Sequence, residues 1–178
     1  SLPSVPKVYS EITAVLQLPN TSIRQIGDII SKDPAMTVKL LQLVNSAFFG
    51  VGRHISNVSD AVELIGLDTI KKLVFSIGIF SQVDANRVGD SGFSIEAMWN
   101  HCLAVGDLAK RIAKSEGVGR SQADDSMLAG MLHDIGSLVL IQNLATEYPK
   151  VAKLVDEHGM PWDKAEEEVF GASHSAVG

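Results

Sequence analysis

An imidazole and a carboxylate stand side by side at His133 and Asp134. Divalent transition metals accept both groups as ligands in proteins. The helical periodicity around them predicts one helix from Ser121 through Val139, in which successive side chains point about 100° apart. Two adjacent residues of such a helix reach one ion only if the helix axis passes close to it. The pair alone is therefore weak support for a metal site, and other ligands are needed.

The residues predicted to share a helix face with His133 all have small side chains. Ala129, Gly130, Gly136 and Ser137 lie three and four positions to either side of the imidazole. Small side chains leave a hollow for an ion or a ligand, but they also allow a second helix to pack closely. The sequence leaves both interpretations open.

Two further histidines are candidates. His101 lies on an apolar stripe at helical spacing, which predicts that it faces a core and needs a hydrogen-bond acceptor, a water or a metal. Taken alone, a core histidine with an ordinary hydrogen bond is commoner than a ligand. His174 follows Gly171 at the predicted start of a helix, where a neutral imidazole is favoured. His158 is predicted to cap a helix C-terminus and His54 to be solvated. The other members of the His101 stripe are Met98, Val105, Leu108 and Ile112.

Helices are predicted throughout, because no segment alternates like a half-buried strand. Ser94 is placed to cap a long helix that runs to about residue 115. Asp68 is predicted to cap a helix that follows Gly66, and Gly50 to end the helix that begins at Pro34. The fold class is therefore all-α.

A polar segment with two glycines, residues 84–92, is the best boundary in the sequence. It divides the chain into an N-terminal helical part, residues 1–90, and a helical core, residues 91–178. Because a new helix is predicted to begin at Ser173, five residues before the end of the given sequence, we expect the chain to be a fragment of something longer.

Composition narrows the function. The 178 residues carry a net charge of −6, and their 15 lysines and arginines are scattered. An acidic chain without a basic stripe is poorly suited to phosphate-backbone contacts, which argues against nucleic acid. No apolar run of about 18 residues and no basic leader is found, so neither membrane nor export is expected. The single cysteine, Cys102, indicates a reducing, cytoplasmic location and is predicted to be a buried, inert thiol.

Several motifs, taken in order, resemble the HDOD domain, a family related to the HD phosphohydrolases. The resemblance covers nearly the whole chain. The matching segments are LPSVP at 2–6, ISKDPA at 30–35, LVNSAFFG at 43–50, the Ile, Val, Ala and Gly positions of 55–66, Trp99 with His101, LAGMLHDIG at 128–136, and Glu167 through Phe170 and Gly171 to His174 and Gly178.

The resemblance implies an all-α, multi-helix HD-domain, phosphodiesterase-like bundle with an N-terminal helical subdomain. It also implies bacterial signalling beside receiver, GGDEF or EAL domains. HD enzymes bind one or two divalent metals through a His, a His-Asp pair and a later Asp. Here His101 matches the first position and His133–Asp134 the pair, while His174 resembles an additional histidine of the HD-GYP phosphodiesterases.

Departures from the enzymes favour a regulatory module. An HD-GYP enzyme has lysine where this chain has Ser137, and no Gly-Tyr-Pro sequence occurs. The four candidate ligands are therefore predicted to form a vestigial or structural site, with a divalent transition metal as the possible cofactor. The main alternative is a metal-dependent phosphohydrolase acting on a cyclic dinucleotide or nucleotide. Two others are a helix-turn-helix over residues 61–80, whose second helix looks buried rather than groove-reading, and histidines that only fill the core.

Overall fold

The computed structural model describes residues 6–18, 22–46, 49–84, 88 and 91–178. Within these residues the chain is helical and has no strand, which confirms the predicted all-α class. Eleven helices are described: α1 (Lys7–Val15), α2 (Ile23–Ser31), α3 (Pro34–Val44), α4 (Val58–Ile65), α5 (Leu67–Phe80), α6 (Ile95–Ser115), α7 (Arg120–Leu132), α8 (Ile135–Leu144), α9 (Tyr148–His158), α10 (Trp162–Phe170) and α11 (His174–Val177).

Local capping chemistry sets many of these helix ends. Ser22 and Gln25 form the reciprocal capping box that starts α2. Asp33 accepts a hydrogen bond from the backbone N–H of Met36 and is followed by proline at the first position of α3. Ser94 caps α6 in the same way, as the sequence predicts. Each of these helix ends depends on hydrogen bonds between residues three positions apart in the sequence.

Two helix ends differ from the predictions. α3 ends at Val44 rather than continuing toward Gly50, because the Asn45 amide bonds both the carbonyl and the N–H of Ile55 and turns the chain. Residues 47 and 48 lie outside the described part. Asp68 does not cap α5, because Gly66, at φ 90°, ends α4 and serves as the N-cap of α5.

The principal core joins α1–α5 to α7. It contains the buried apolar side chains of the N-terminal helices together with Met127 and Met131 of α7. A buried polar contact joins the same elements: Asp124 of α7 accepts a hydrogen bond from Thr69 of α5 at 2.8 Å and pairs with Lys110 of α6 at 2.6 Å. The helix that precedes the His-Asp pair is thus held by the N-terminal helices. The division near residue 90 stays a prediction.

α6 and α7 approach each other closely at two glycines. A Cβ on Gly130 would lie 2.8 Å from the Cα of Gly106, and a Cβ on Gly106 would lie 2.9 Å from the carbonyl oxygen of Met127. Any side chain at either position would force the helices apart. For Gly130, this favours the interpretation of the small residues near His133 as helix packing.

One stretch of the described residues, Arg120–Leu144, is long and apolar enough by composition to cross a membrane. Of its most apolar window, 44% is buried inside the fold. A buried core segment passes the same test, and this one is interrupted by the turn at His133 and Asp134.

Candidate metal centre

The helix predicted from Ser121 to Val139 is broken at the His133–Asp134 pair. α7 starts at Arg120 and ends at Leu132, and α8 begins at Ile135. Asp134 has φ −106° and ψ 24°, outside the helical region. The prediction of one continuous helix was wrong. The turn brings His133 Nε2 to 3.0 Å from Asp134 Oδ2, whereas a straight helix would hold the two side chains about 100° apart.

His101 supplies a third donor atom from α6. Its Nε2 lies 3.3 Å from Asp134 Oδ2 and 3.3 Å from His133 Nε2. Donor atoms of these three residues all lie within 4.8 Å of one another. Two ligands bound about 2.1 Å from an ion lie roughly 3.0–3.4 Å apart when the angle between them is about 90–109°. The observed separations are compatible with ligands around one ion, and they are also those of direct hydrogen bonds among the three groups.

The exposure of His101 corrects the prediction that it faces a core. Its side chain is 53% exposed, and Leu108 and Ile112 of the same stripe are 55% and 61% exposed. The buried positions of α6 are Cys102 and Gly106. α6 approaches α7 at a glycine, so its buried face is built from small residues, which a search for large apolar side chains overlooks.

The imidazole of His133 is oriented by its own helix. Its Nδ1 lies 2.8 Å from the carbonyl oxygen of Gly130. Because a carbonyl can only accept a hydrogen bond, Nδ1 carries the proton and donates it. In the neutral ring the lone pair is then on Nε2, the atom that faces Asp134 and His101. A hydrogen bond of this kind commonly fixes the tautomer of a histidine that ligates a metal.

His174 reaches the other oxygen of Asp134. Its Nε2 lies 3.6 Å from Asp134 Oδ1, and its side chain is only 14% exposed. Gly136 makes this position possible, because a Cβ there would lie 2.0 Å from the carbonyl oxygen of His174. α11 therefore lies directly on the backbone of α8. The three predicted histidines, His101, His133 and His174, thus all lie near the carboxylate of the fourth predicted site residue, Asp134.

Sequence reasoning missed a buried carboxylate behind His174. Glu166 of α10 is 0% exposed. Its Oε2 lies 2.5 Å from His174 Nδ1 and accepts the backbone N–H of His174 at 2.7 Å. Its Oε1 accepts the hydroxyl of Tyr148 at 2.8 Å. Both oxygens of this carboxylate are thus occupied by hydrogen-bond donors.

A signal for Glu166 exists in the sequence. It lies between Trp162 at i−4 and Phe170 at i+4, so it is an acid on the apolar face of its own helix. The resemblance instead matched its neighbour Glu167, which is exposed and pairs with Lys164 at 2.8 Å. A carboxylate on an apolar face requires buried partners, and Tyr148 and His174 provide them.

Cys102 lies beside the site but is not a ligand in this arrangement. It is fully buried. Burial, with a smaller contribution from the charge of Asp134, raises the pKa of its thiol to about 12. A thiol protonated at neutral pH is inert, as predicted. The close donor set is thus His101, His133 and Asp134, and His174 adds a third imidazole beside the other oxygen of Asp134. Imidazoles with one carboxylate suit a first-row divalent transition metal better than Mg²⁺ or Ca²⁺.

Comparison with known proteins agrees with the fold and the motifs. The family profile of the HDOD domain matches residues 2–178. The chain belongs to the HDOD family. This confirms the resemblance drawn from the ordered motifs.

Two solved structures have a similar fold, and one further protein is similar in sequence. An HDOD domain protein of unknown function from Geobacter sulfurreducens is 31% identical, with a TM-score of 0.77, over 99% of this chain and 58% of its own. A structure from Shewanella amazonensis SB2B, described as a candidate phosphohydrolase, is 23% identical with a TM-score of 0.72 over 99% of this chain and 60% of its own. An uncharacterised protein of Treponema pallidum (strain Nichols) is 27% identical over 99% of this chain. The HDOD chain spans 33% of the Treponema protein.

The remaining two histidines of this HDOD domain lie outside the site. His54 and His158 are both exposed. His158 ends α9 immediately before Gly159, which has the left-handed φ of 62° expected of a C-cap. The predictions that set both residues aside agree with these positions.

Proposed function

We propose that this HDOD domain is a non-catalytic, cytoplasmic signal-transduction module of a bacterial protein, working through contacts with other signalling domains or proteins of the receiver, GGDEF or EAL type. In this proposal His101, His133, Asp134 and His174 hold one divalent transition metal that ties α6, α7, α8 and α11 together. The ion is structural, and the signal passes through the surfaces of the helices that it joins.

The composition of the site carries this proposal. Three imidazoles surround one carboxylate, and the second nearby carboxylate, Glu166, is engaged by Tyr148 and His174. The position occupied by lysine in HD-GYP enzymes is Ser137, which is buried. Sites for phosphoryl transfer place cationic side chains, in addition to any metal, where charge develops on phosphate. A buried serine supplies no such charge.

The test is metal content, measured by elemental analysis of protein prepared without chelators, and compared with His133→Ala. We expect about one transition-metal ion per chain, and its loss in the variant. The loaded protein is then assayed for hydrolysis of bis(4-nitrophenyl) phosphate and of a cyclic dinucleotide. Bound metal without turnover above the His133→Ala control supports the structural role, and absence of any ion contradicts it.

A metal-dependent phosphohydrolase is the second candidate, and one observation favours it. Oδ2 of Asp134 faces His101 and His133 while Oδ1 faces His174. Histidine nitrogens lie near both oxygens of this carboxylate, so Asp134 would be able to hold metal together with His101 and His133 and also with His174. When bound, such ions supply the Lewis acidity that hydrolysis of a phosphate ester needs. Turnover that His133→Ala abolishes would establish this candidate in place of the first.

A further inference from the structure

We propose that Glu166 is a positioning residue that fixes His174 in a single tautomer, with the proton on Nδ1 and the Nε2 lone pair directed toward Asp134. The consequence for a metal rests on the function proposed above. The tautomer itself does not, because the contacts that set it belong to the protein alone.

Every hydrogen bond described for the Glu166 side chain is donated to it. An ionised carboxylate only accepts, and here Oε2 receives both the backbone N–H of His174 at 2.7 Å and, from the same residue, Nδ1 at 2.5 Å. The two donors hold the backbone and the ring of His174 against one oxygen atom. The ring therefore cannot rotate about its side-chain bonds without losing a buried, charge-assisted hydrogen bond. Nε2 is left facing Asp134 Oδ1 at 3.6 Å.

Tyr148 secures the other end of the carboxylate. Its hydroxyl donates to Oε1 at 2.8 Å, and the side chain is fully buried. Burial, together with the negative charge of Glu166, raises the pKa of this hydroxyl, so Tyr148 keeps its proton and acts as a donor. Rings of Phe93 and Phe170 pack on Tyr148 with centroids 5.4 Å and 5.5 Å away. The position of Glu166 is thus set by a rigid aromatic cluster.

Two histidines of the site are oriented by different acceptors. His133 donates from Nδ1 to a neutral carbonyl, and His174 donates to a carboxylate. A carboxylate partner raises the basicity of the opposite ring nitrogen more than a carbonyl does, and loss of such a partner typically weakens metal binding about 10–100-fold. Glu166 is therefore expected to matter for the ligand strength of His174 as well as for its direction.

A purely structural role for Glu166, in which it only joins α10 to α11, makes a different prediction. Such a role affects stability and leaves the protonation of the ring free. The tautomer of His174 distinguishes the two roles directly.

The experiment is a long-range ¹H–¹⁵N NMR spectrum of metal-free protein at about pH 8, above the usual titration range of histidine. We expect wild-type His174 to carry its proton on Nδ1, and Glu166→Gln to give a mixture of tautomers. Glu167→Gln, the exposed neighbour, is the matched control and should resemble the wild type. A wild-type ring protonated at Nε2, alone or together with Nδ1, would overturn the proposal without use of any variant.

Metal affinity gives the second measurement, by competition of Zn²⁺ or Co²⁺ against a chromogenic chelator. We expect a 10–100-fold loss for Glu166→Gln and no loss for Glu167→Gln. Tyr148→Phe keeps the ring but frees Oε1, and it replaces Glu166→Gln if that variant does not fold; we expect its loss to be a few-fold. Unchanged affinity in a folded Glu166→Gln would contradict the proposal. A protein that binds no ion while His174 still has the Nδ1 proton would contradict the proposed function and leave this inference intact.

Discussion

Gly136→Ala should remove His174 from the site. The added Cβ would lie 2.0 Å from the His174 carbonyl oxygen, whereas real Cβ contacts are essentially never closer than 3.0 Å, so α11 must retreat from α8 by about 1 Å. Ligand distances in metal sites tolerate about 0.2 Å, so a displacement of this size withdraws Nε2 as a ligand. Overpacking of this kind costs about 1–3 kcal/mol, partly offset by the roughly 0.5–1 kcal/mol that alanine gains over glycine in a helix.

The assay for this prediction combines urea unfolding with Zn²⁺ competition. Gly52→Ala is the control, because no atom of the described residues, apart from its chain neighbours, lies within 4 Å of a Cβ at that position. We expect Gly136→Ala to lose about 1–2 kcal/mol in free energy of unfolding and to bind the ion more weakly, while Gly52→Ala keeps both. Equal affinity in the two variants would refute the reasoning that α11 must lie on the backbone of α8 for His174 to take part.

Three other predictions follow from the buried groups. Asp124→Ala should lower the free energy of unfolding by about 3 kcal/mol in urea titrations, because it leaves Lys110 without its buried partner. Burial of Asp124 alone would raise its pKa, but hydrogen bonds from Lys110 and Thr69 lower the pKa below 3.8; the contribution of Asp124 to stability is therefore present above pH 3.8 and lost as pH falls through the folded pKa. Stability measured from neutral pH down to about pH 3 should accordingly fall more in the wild type than in Asp124→Asn. Cys102, with its pKa raised to about 12, should react with a thiol reagent at neutral pH only when denaturant is added, and rapid labelling of the folded protein would contradict its burial.

Local sequence signals predicted the all-α class and one of the helix starts. The N-cap at Ser94 is confirmed because it depends on a side chain and a backbone N–H three residues apart. Errors arose where a distant contact decides the chain path, as at Asn45, whose amide is satisfied by Ile55 ten residues later.

The site was predicted by residue type but not by geometry. No proline interrupts the apolar periodicity between Ser121 and Val139. His133, Asp134 and Gly136 are weak helix formers, but this local signal is too weak to place a turn against that periodicity. Tertiary contacts favour the break. It allows His133 and Asp134 both to approach His101, and it allows α11 to pack against the backbone at Gly136. These are tertiary contacts that periodicity does not contain.

Glu166 shows how such a residue can be found from sequence alone. An acid among apolar residues of an amphipathic helix must be buried against a donor, exposed by a local break in the pattern, or strongly destabilising. His174, eight residues later, supplies two of the donors and Tyr148, eighteen residues earlier, supplies the third. A carboxylate on an apolar helix face needs a buried partner just as a histidine there does. In α10 this requirement points to Glu166 and not to its exposed neighbours Glu167 and Glu168.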